Sequence, residues 1–137
     1  MFKEITQKIL DLLKADQTLN QTVKKWYFGF PVEAFAYPFI AVRWVGGPVT
    51  VMTGSKERYQ IDFEVAVVDS SQKEDEAEKQ VMDLVEKIDE ILDNNPTLDG
   101  LVDDSHISEI RSETGLTEKG SILVGALIML TTFKTKI

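Results

Sequence analysis

The chain has 137 residues, which suits one domain of the usual ~100 to 200. Its 43% hydrophobic content supplies a core, and 28% charged residues argue against both disorder and a fully buried membrane protein. With no cysteine, disulfides, thiol catalysis, iron–sulfur clusters and cysteine zinc sites are excluded, and a net charge of −8 opposes broad binding to duplex phosphates.

The start, Met1-Phe2-Lys3-Glu4-Ile5, lacks the basic, apolar and small-residue pattern of a signal peptide, so cytoplasmic residence is the expectation. Phe2, Ile5, Ile9, Leu12 and Leu13 recur at helical spacing and predict an amphipathic helix ending near Ala15. A short second helix over residues 16–25 would be pinned by Leu19 and Val23. Trp26-Tyr27-Phe28 reads as a short strand before the Gly29-Phe30-Pro31 break. Phe39 to Val45 reads as another, ended by Gly46-Gly47-Pro48.

The cleanest alternation follows. Tyr59, Ile61, Phe63, Val65 and Val67 point one way while Arg58, Gln60, Asp62 and Glu64 point the other. Ser71 with Glu74 matches a capping box, and Ala77, Val81, Leu84, Val85, Ile88, Ile91 and Leu92 form a helical stripe behind it. Asn94-Asn95-Pro96 ends that helix, and residues 98–104 form a loop. Ile107 and Ile110 share a strand face only if a bulge lies between them. Residues 114–120 read as a hairpin connection to the apolar run 122–130, which is too short for a membrane helix and suggests a strand covered on both faces, as in a central strand or a subunit interface. The fold class expected is α+β, a mainly antiparallel sheet with an N-terminal helix and one long helix packed on it, in a single domain spanning residues 1–137.

Reactive chemistry is sparse. His106 follows Asp103 and Asp104, with Asp99 within reach, so a carboxylate–imidazole metal site or a base beside Ser105 or Ser108 can be drawn. An ordinary polar loop accounts for the same residues, and neither a nucleophile elbow nor a third orienting group is present. Gly46-Gly47-Pro48 lacks the Lys-Ser/Thr of a phosphate loop. The long helix carries Glu78, Glu86, Asp89, Glu90 and Asp93 on a surface that is either plain solvated helix or an acidic face that repels DNA or docks a basic partner. Within residues 46–56, Val49, Val51 and Met52 either tuck onto the core or project on a β-arm toward another subunit. An aromatic group, Trp26, Tyr27, Phe28, Phe30, Phe35 and Trp44, is core or the wall of a ligand pocket.

Taken together, the N-terminal helix, Tyr37-Pro38-Phe39-Ile40-Ala41-Val42, the Gly46-Gly47 connection, the alternating strand, the long helix and the closing hairpin resemble the phage tail-terminator or tail-completion proteins of long-tailed phages and prophages. A neighbouring head-closure or connector component is similar in outline. The resemblance implies a non-enzymatic ring, commonly hexameric, that caps the tail tube, stops its growth and presents a surface for head joining. The implied partners are further copies of the chain, the major tail tube protein and a head-completion or connector protein. DNA would be only passing cargo, and neither cofactor, metal nor membrane is called for. The implied location is the virion's head–tail interface, with the host cytoplasm during assembly. On this reading Gly46, Gly47, Pro48, Val49, Val51, Met52, Leu123, Leu127 and Met129 carry inter-subunit or tube contacts. The competing reading is a small α+β ligand-binding or regulatory module without catalysis.

Overall fold

The computed structural model describes residues 1–34, 36–117 and 120–137, with the Glu74 side chain left out. The roles expected for Phe35 in the aromatic group, Lys119 in the closing connection and the Glu74 carboxylate in the capping box therefore lie outside the described residues.

Helix α1, Phe2–Lys14, buries Ile5, Ile9, Leu10 and Leu13. Helix α2, Gln17–Thr22, starts where the Asp16 carboxylate accepts a hydrogen bond from the Leu19 amide at 3.3 Å, and it buries Leu19. Strands β1 (Lys25–Phe28), β2 (Phe39–Gly46), β3 (Val49–Val51) and β4 (Glu57–Ser71) precede helix α3 (Glu74–Asp93), and β5 (Asp104–Leu116) and β6 (Ile122–Lys136) close the chain. The sheet runs β1-β2-β4-β6-β5, with β3 alongside the start of β4. Its pairs are antiparallel except β1–β2, which is parallel. The expected α+β class, a mainly antiparallel sheet with helices packed on it, is what the chain forms. Among the described residues no helix is long and apolar enough to cross a membrane.

The spine is the β4–β6 pair, in continuous register from Glu57↔Lys136 to Ser71↔Ile122. The period-2 alternation then sorts side chains between two faces. Ile61, Phe63, Val65 and Val67 of β4, with Ile128 and Leu130 of β6, meet Ile5, Ile9 and Leu13 of α1 and Leu84, Ile88 and Leu92 of α3 in one core. Each such burial is worth roughly 1.5 to 3 kcal/mol before entropy, and a one-residue slip would turn all of them to the other face. After α3, Leu98 and Asp99 take left-handed backbone (φ 49° and 58°), a strain of about 1 to 3 kcal/mol each. The turn drives the Leu98 side chain fully into the core, which offsets part of that strain.

Four expectations need correction. Ser71 is not the N-cap, because it is committed to β4 opposite Ile122; Lys73 is the N-cap, and the Ser71 hydroxyl accepts from the Lys73 amide at 3.1 Å. The 122–130 run is indeed central, between β4 and β5, but only one of its faces is covered by α3; Leu123, Leu127 and Met129 stay half-buried on the other. The closing connection is shorter than 114–120, since β5 runs on to Leu116. The loop expected for residues 98–104 ends one residue early, with Asp104 opening β5. The bulge between Ile107 and Ile110 is present as a register shift between Ile107 and Glu109 that returns both isoleucines to the helix-side face, opposite Leu130 and Ile128.

Residues 46–56 form a β-arm. Beyond Trp44, β2 slips register at Gly46, and Gly47 lies so close to the Gln60 carbonyl that a Cβ there would collide with it. The Gln60 amide donates to the Pro48 carbonyl at 3.0 Å, β3 pairs with Glu57, Arg58 and Tyr59, and the Met52 amide donates to the Lys56 carbonyl at 2.8 Å. The arm's root is held by Phe2, stacked on Trp44 at 5.1 Å and edge-on to Tyr59 at 6.5 Å.

Gly47→Ala should therefore prise the arm from β4 and cost about 1 to 3 kcal/mol in urea unfolding; an unchanged midpoint would contradict this geometry. Burial raises the Asp69 carboxyl above its ordinary 3.8, against the lowering effect of the Ser70 amide bonded to it. The folded chain holds that proton more tightly than the unfolded chain, so ionised Asp69 weakens the fold at neutral pH and not below 3.8. Asp69→Asn should raise the melting temperature at pH 7 and leave it unchanged at pH 3; no gain at pH 7 would refute the assignment.

Candidate assembly interface

The helices cover one face of the sheet and leave the other largely uncovered by any element of the chain. On that second face Phe39, Ala41 and Ala66 are buried together, with Tyr27, Ala34, Tyr37, Val68 and Leu127 packed around them. Phe39 is the hub, since Tyr27 (5.4 Å), Tyr37 (5.8 Å) and Phe30 (6.4 Å) all place rings against it. A groove of about 380 Å³ opens here, walled by Phe30, Val32 and Tyr37 and floored by Val68, Leu123 and Gly125. Phe30 is 53% exposed and Val32 wholly so, although both are apolar. Only their Gly29-Phe30-Pro31 setting hinted at this in the sequence, where apolar residues in a turn have no strand or helix to bury them.

Toward the middle the second face turns polar. Arg43 and Glu64, directly paired across β2 and β4, form an ion pair at 3.3 Å with the Glu64 side chain only 10% exposed. Arg111 and Glu109 pair at 3.5 Å on β5, and Met129 lies among these charges. Beyond them the Arg58 guanidinium sits over the Phe133 ring at 4.8 Å, where the arm begins.

The nine residues expected to carry contacts thus fall into two groups. Gly46, Gly47, Pro48, Val49, Val51 and Met52 lie on the arm, where Val51 is 77% exposed and Val49 and Met52 are exposed as well. Leu123, Leu127 and Met129 share the second sheet face, with Leu123 in the groove and Leu127 in the Phe39 cluster. The acidic residues Glu78, Glu86, Asp89, Glu90 and Asp93 are all exposed on α3, on the opposite side of the molecule from that face. Sequence reading missed a second apolar groove, between α3 and β5, where Met82 and Ile110 are exposed beside Val81, Val85 and Val124. Met82 lies off the buried helical stripe, and Ile110 reads as a core residue until the edge position of β5 is known.

The aromatic group does not converge on one pocket. Of its described members, Trp26 packs against the helix-side core beneath the Lys14 ammonium, Trp44 stacks on Phe2, Phe28 is exposed, and Tyr27 and Phe30 join the Phe39 cluster. Asp104 apart, the residues from which a metal or base site could be drawn are engaged in other contacts. Asp99 pairs with Lys8 at 3.2 Å, the Asp103 carboxylate accepts from the Thr135 amide at 2.8 Å, and His106 stacks on Phe133 at 6.0 Å. The Ser105 hydroxyl donates to the Pro96 carbonyl at 2.8 Å, and Ser108 bonds to Thr131 at 3.0 Å. Among the described residues no three His, Asp or Glu side chains gather as metal ligands.

No family model and no curated protein sequence matches the chain. Among solved structures it is similar to a chain of the virion of a native gene transfer agent particle, at 16% identity and a TM-score of 0.49, over 93% of this chain and 92% of that one.

Proposed function

We propose that the chain is a virion assembly protein that forms a ring, a hexamer by the resemblance of its sequence, on the end of a phage tail tube. It ends tube polymerisation there and offers a joining surface to a head-completion or connector protein. The observation that carries this reading is the unlikeness of the chain's two broad surfaces. One is an open sheet face with an apolar groove and a projecting arm tipped by Val51 and Met52, and the other is the acidic outer side of α3. A terminator must bind a tube end without recreating it, which demands two faces that differ. Exposed apolar residues on a strand-built arm are an aggregation hazard unless something covers them. Turned toward the bore, the α3 acids repel passing duplex and keep it from adhering. The ligand-binding alternative rested on six aromatics meeting around a pocket, and those described are dispersed.

Purified tail tube protein polymerising in the presence of the chain should stop at shorter tubes bearing the chain at one end. Val51→Asp with Met52→Asp should stay folded, within about 0.5 kcal/mol, because both side chains are exposed. That variant should weaken association with itself and with tubes at least tenfold by light scattering and co-sedimentation. Tube growth indifferent to the unaltered chain would overturn the function, and undiminished association of the variant would overturn the role of the arm.

A further inference from the structure

Resting on that assembly reading, we propose that copies of the chain join head to tail, with the arm tip of one copy, Val51 and Met52, seated in the groove between residues 30–34 and the second sheet face of the next. Val51 pairs with Glu57 at one end of β4 while the groove is floored by Val68, eleven residues further along, about 36 Å at ~3.3 Å per residue. The exposed apolar tip and the exposed apolar groove therefore belong to one molecule and cannot reach each other within it.

Charge makes the two ends complementary. Within residues 46–56 the one charged side chain is Lys56, which is exposed; at the arm's root Arg58 and Lys136 stand beside the acids Glu57, Asp103 and Asp104. Among the described residues that line the groove the one charged side chain is Glu113, while Lys25 lies outside it on β1, paired with Phe39. An apolar tip beside the cation Lys56 facing an apolar groove beside the acid Glu113 brings opposite charges together, whereas tip against tip or groove against groove sets like charges together. Made in one direction, arm of one copy to groove of the next, the contact is heterologous: repeated, it closes into a ring if the rotation allows and otherwise extends as a filament. A reciprocal two-fold dimer would use the same two patches, and it is told from the head-to-tail arrangement by covalent products that stop at a dimer, which would overturn the proposal. Phe30 and Val32, exposed in the single chain, are then covered by the neighbour.

The absence of cysteine makes this directly testable. A chain carrying both Met52→Cys and Val32→Cys, at two exposed positions too far apart to bridge internally, should give a thiol-reversible ladder of trimers and higher covalent oligomers on mild oxidation. Each single variant should give at most a dimer. A double variant that yields no more than the singles would overturn the arm-to-groove contact. Light scattering of the unaltered chain, alone and with tail tubes, separates that failure from failure of the assembly reading: association without a ladder leaves the ring and removes the groove, and no association removes both. As a second route, Val51→Asp with Met52→Asp lacks a working tip and Phe30→Asp with Val32→Asp lacks a working groove. Each should be monomeric alone, and the mixture should stop at a one-to-one dimer. Assembly of the groove variant to the same mass as the unaltered chain would contradict the proposal.

Discussion

The fifteen-residue antiparallel register between β4 and β6 is the constraint on which the molecule depends. It fixes which side chains of both strands face the helices, and so defines the core. By the same alternation it sends Leu123, Leu127 and Met129, with Val68, to the side that no helix covers. Because β4 is longer than its partner β2, its first residues run beyond the core and template the arm through Gln60, Tyr59, Arg58 and Glu57. Core, open face and arm are thus consequences of one pairing.

The open face is graded along its length. Apolar side chains cluster around Phe39 at one end, ion pairs Arg43–Glu64 and Arg111–Glu109 occupy the middle, and Arg58 lies over the Phe133 ring near the arm at the other. The nearly buried Glu64 keeps its partner directly across the strand pair, so its charge is compensated rather than stranded. A surface so graded would orient any partner docked on it in one direction.

Much of this was legible in the sequence, because the strongest periodicities are also the strongest structural determinants. The alternation from Tyr59 to Val67 and the stripe from Ala77 to Leu92 both place their buried residues correctly, and the mismatch of Ile107 with Ile110 announced the bulge. What could not be read depends on neighbours distant in the chain. Ser71 looks like a helix cap until β6 claims it for the sheet. The apolar run at 122–130 looks doubly buried because strand periodicity does not say whether the second face has a cover. Leu98 looks like a loop residue, yet its left-handed turn places it in the core. At the candidate site, a β-arm was one of two readings open for residues 46–56 and a solvated helix accounts for the α3 acids as well as an acidic docking face does, while the groove beside Phe30 and Val32 arises only when residues 30–34 lie over β4 and β6.

The central claim is that this chain acts through non-covalent packing of its arm and open sheet face. Amide hydrogen exchange, measured on the dilute chain and again on the chain incubated with purified tail tubes, addresses it most directly. The account predicts slowed exchange in residues 47–56 and 29–34, with the exposed side of α3 unaffected. Slowing confined to α3, or no slowing anywhere, would contradict it.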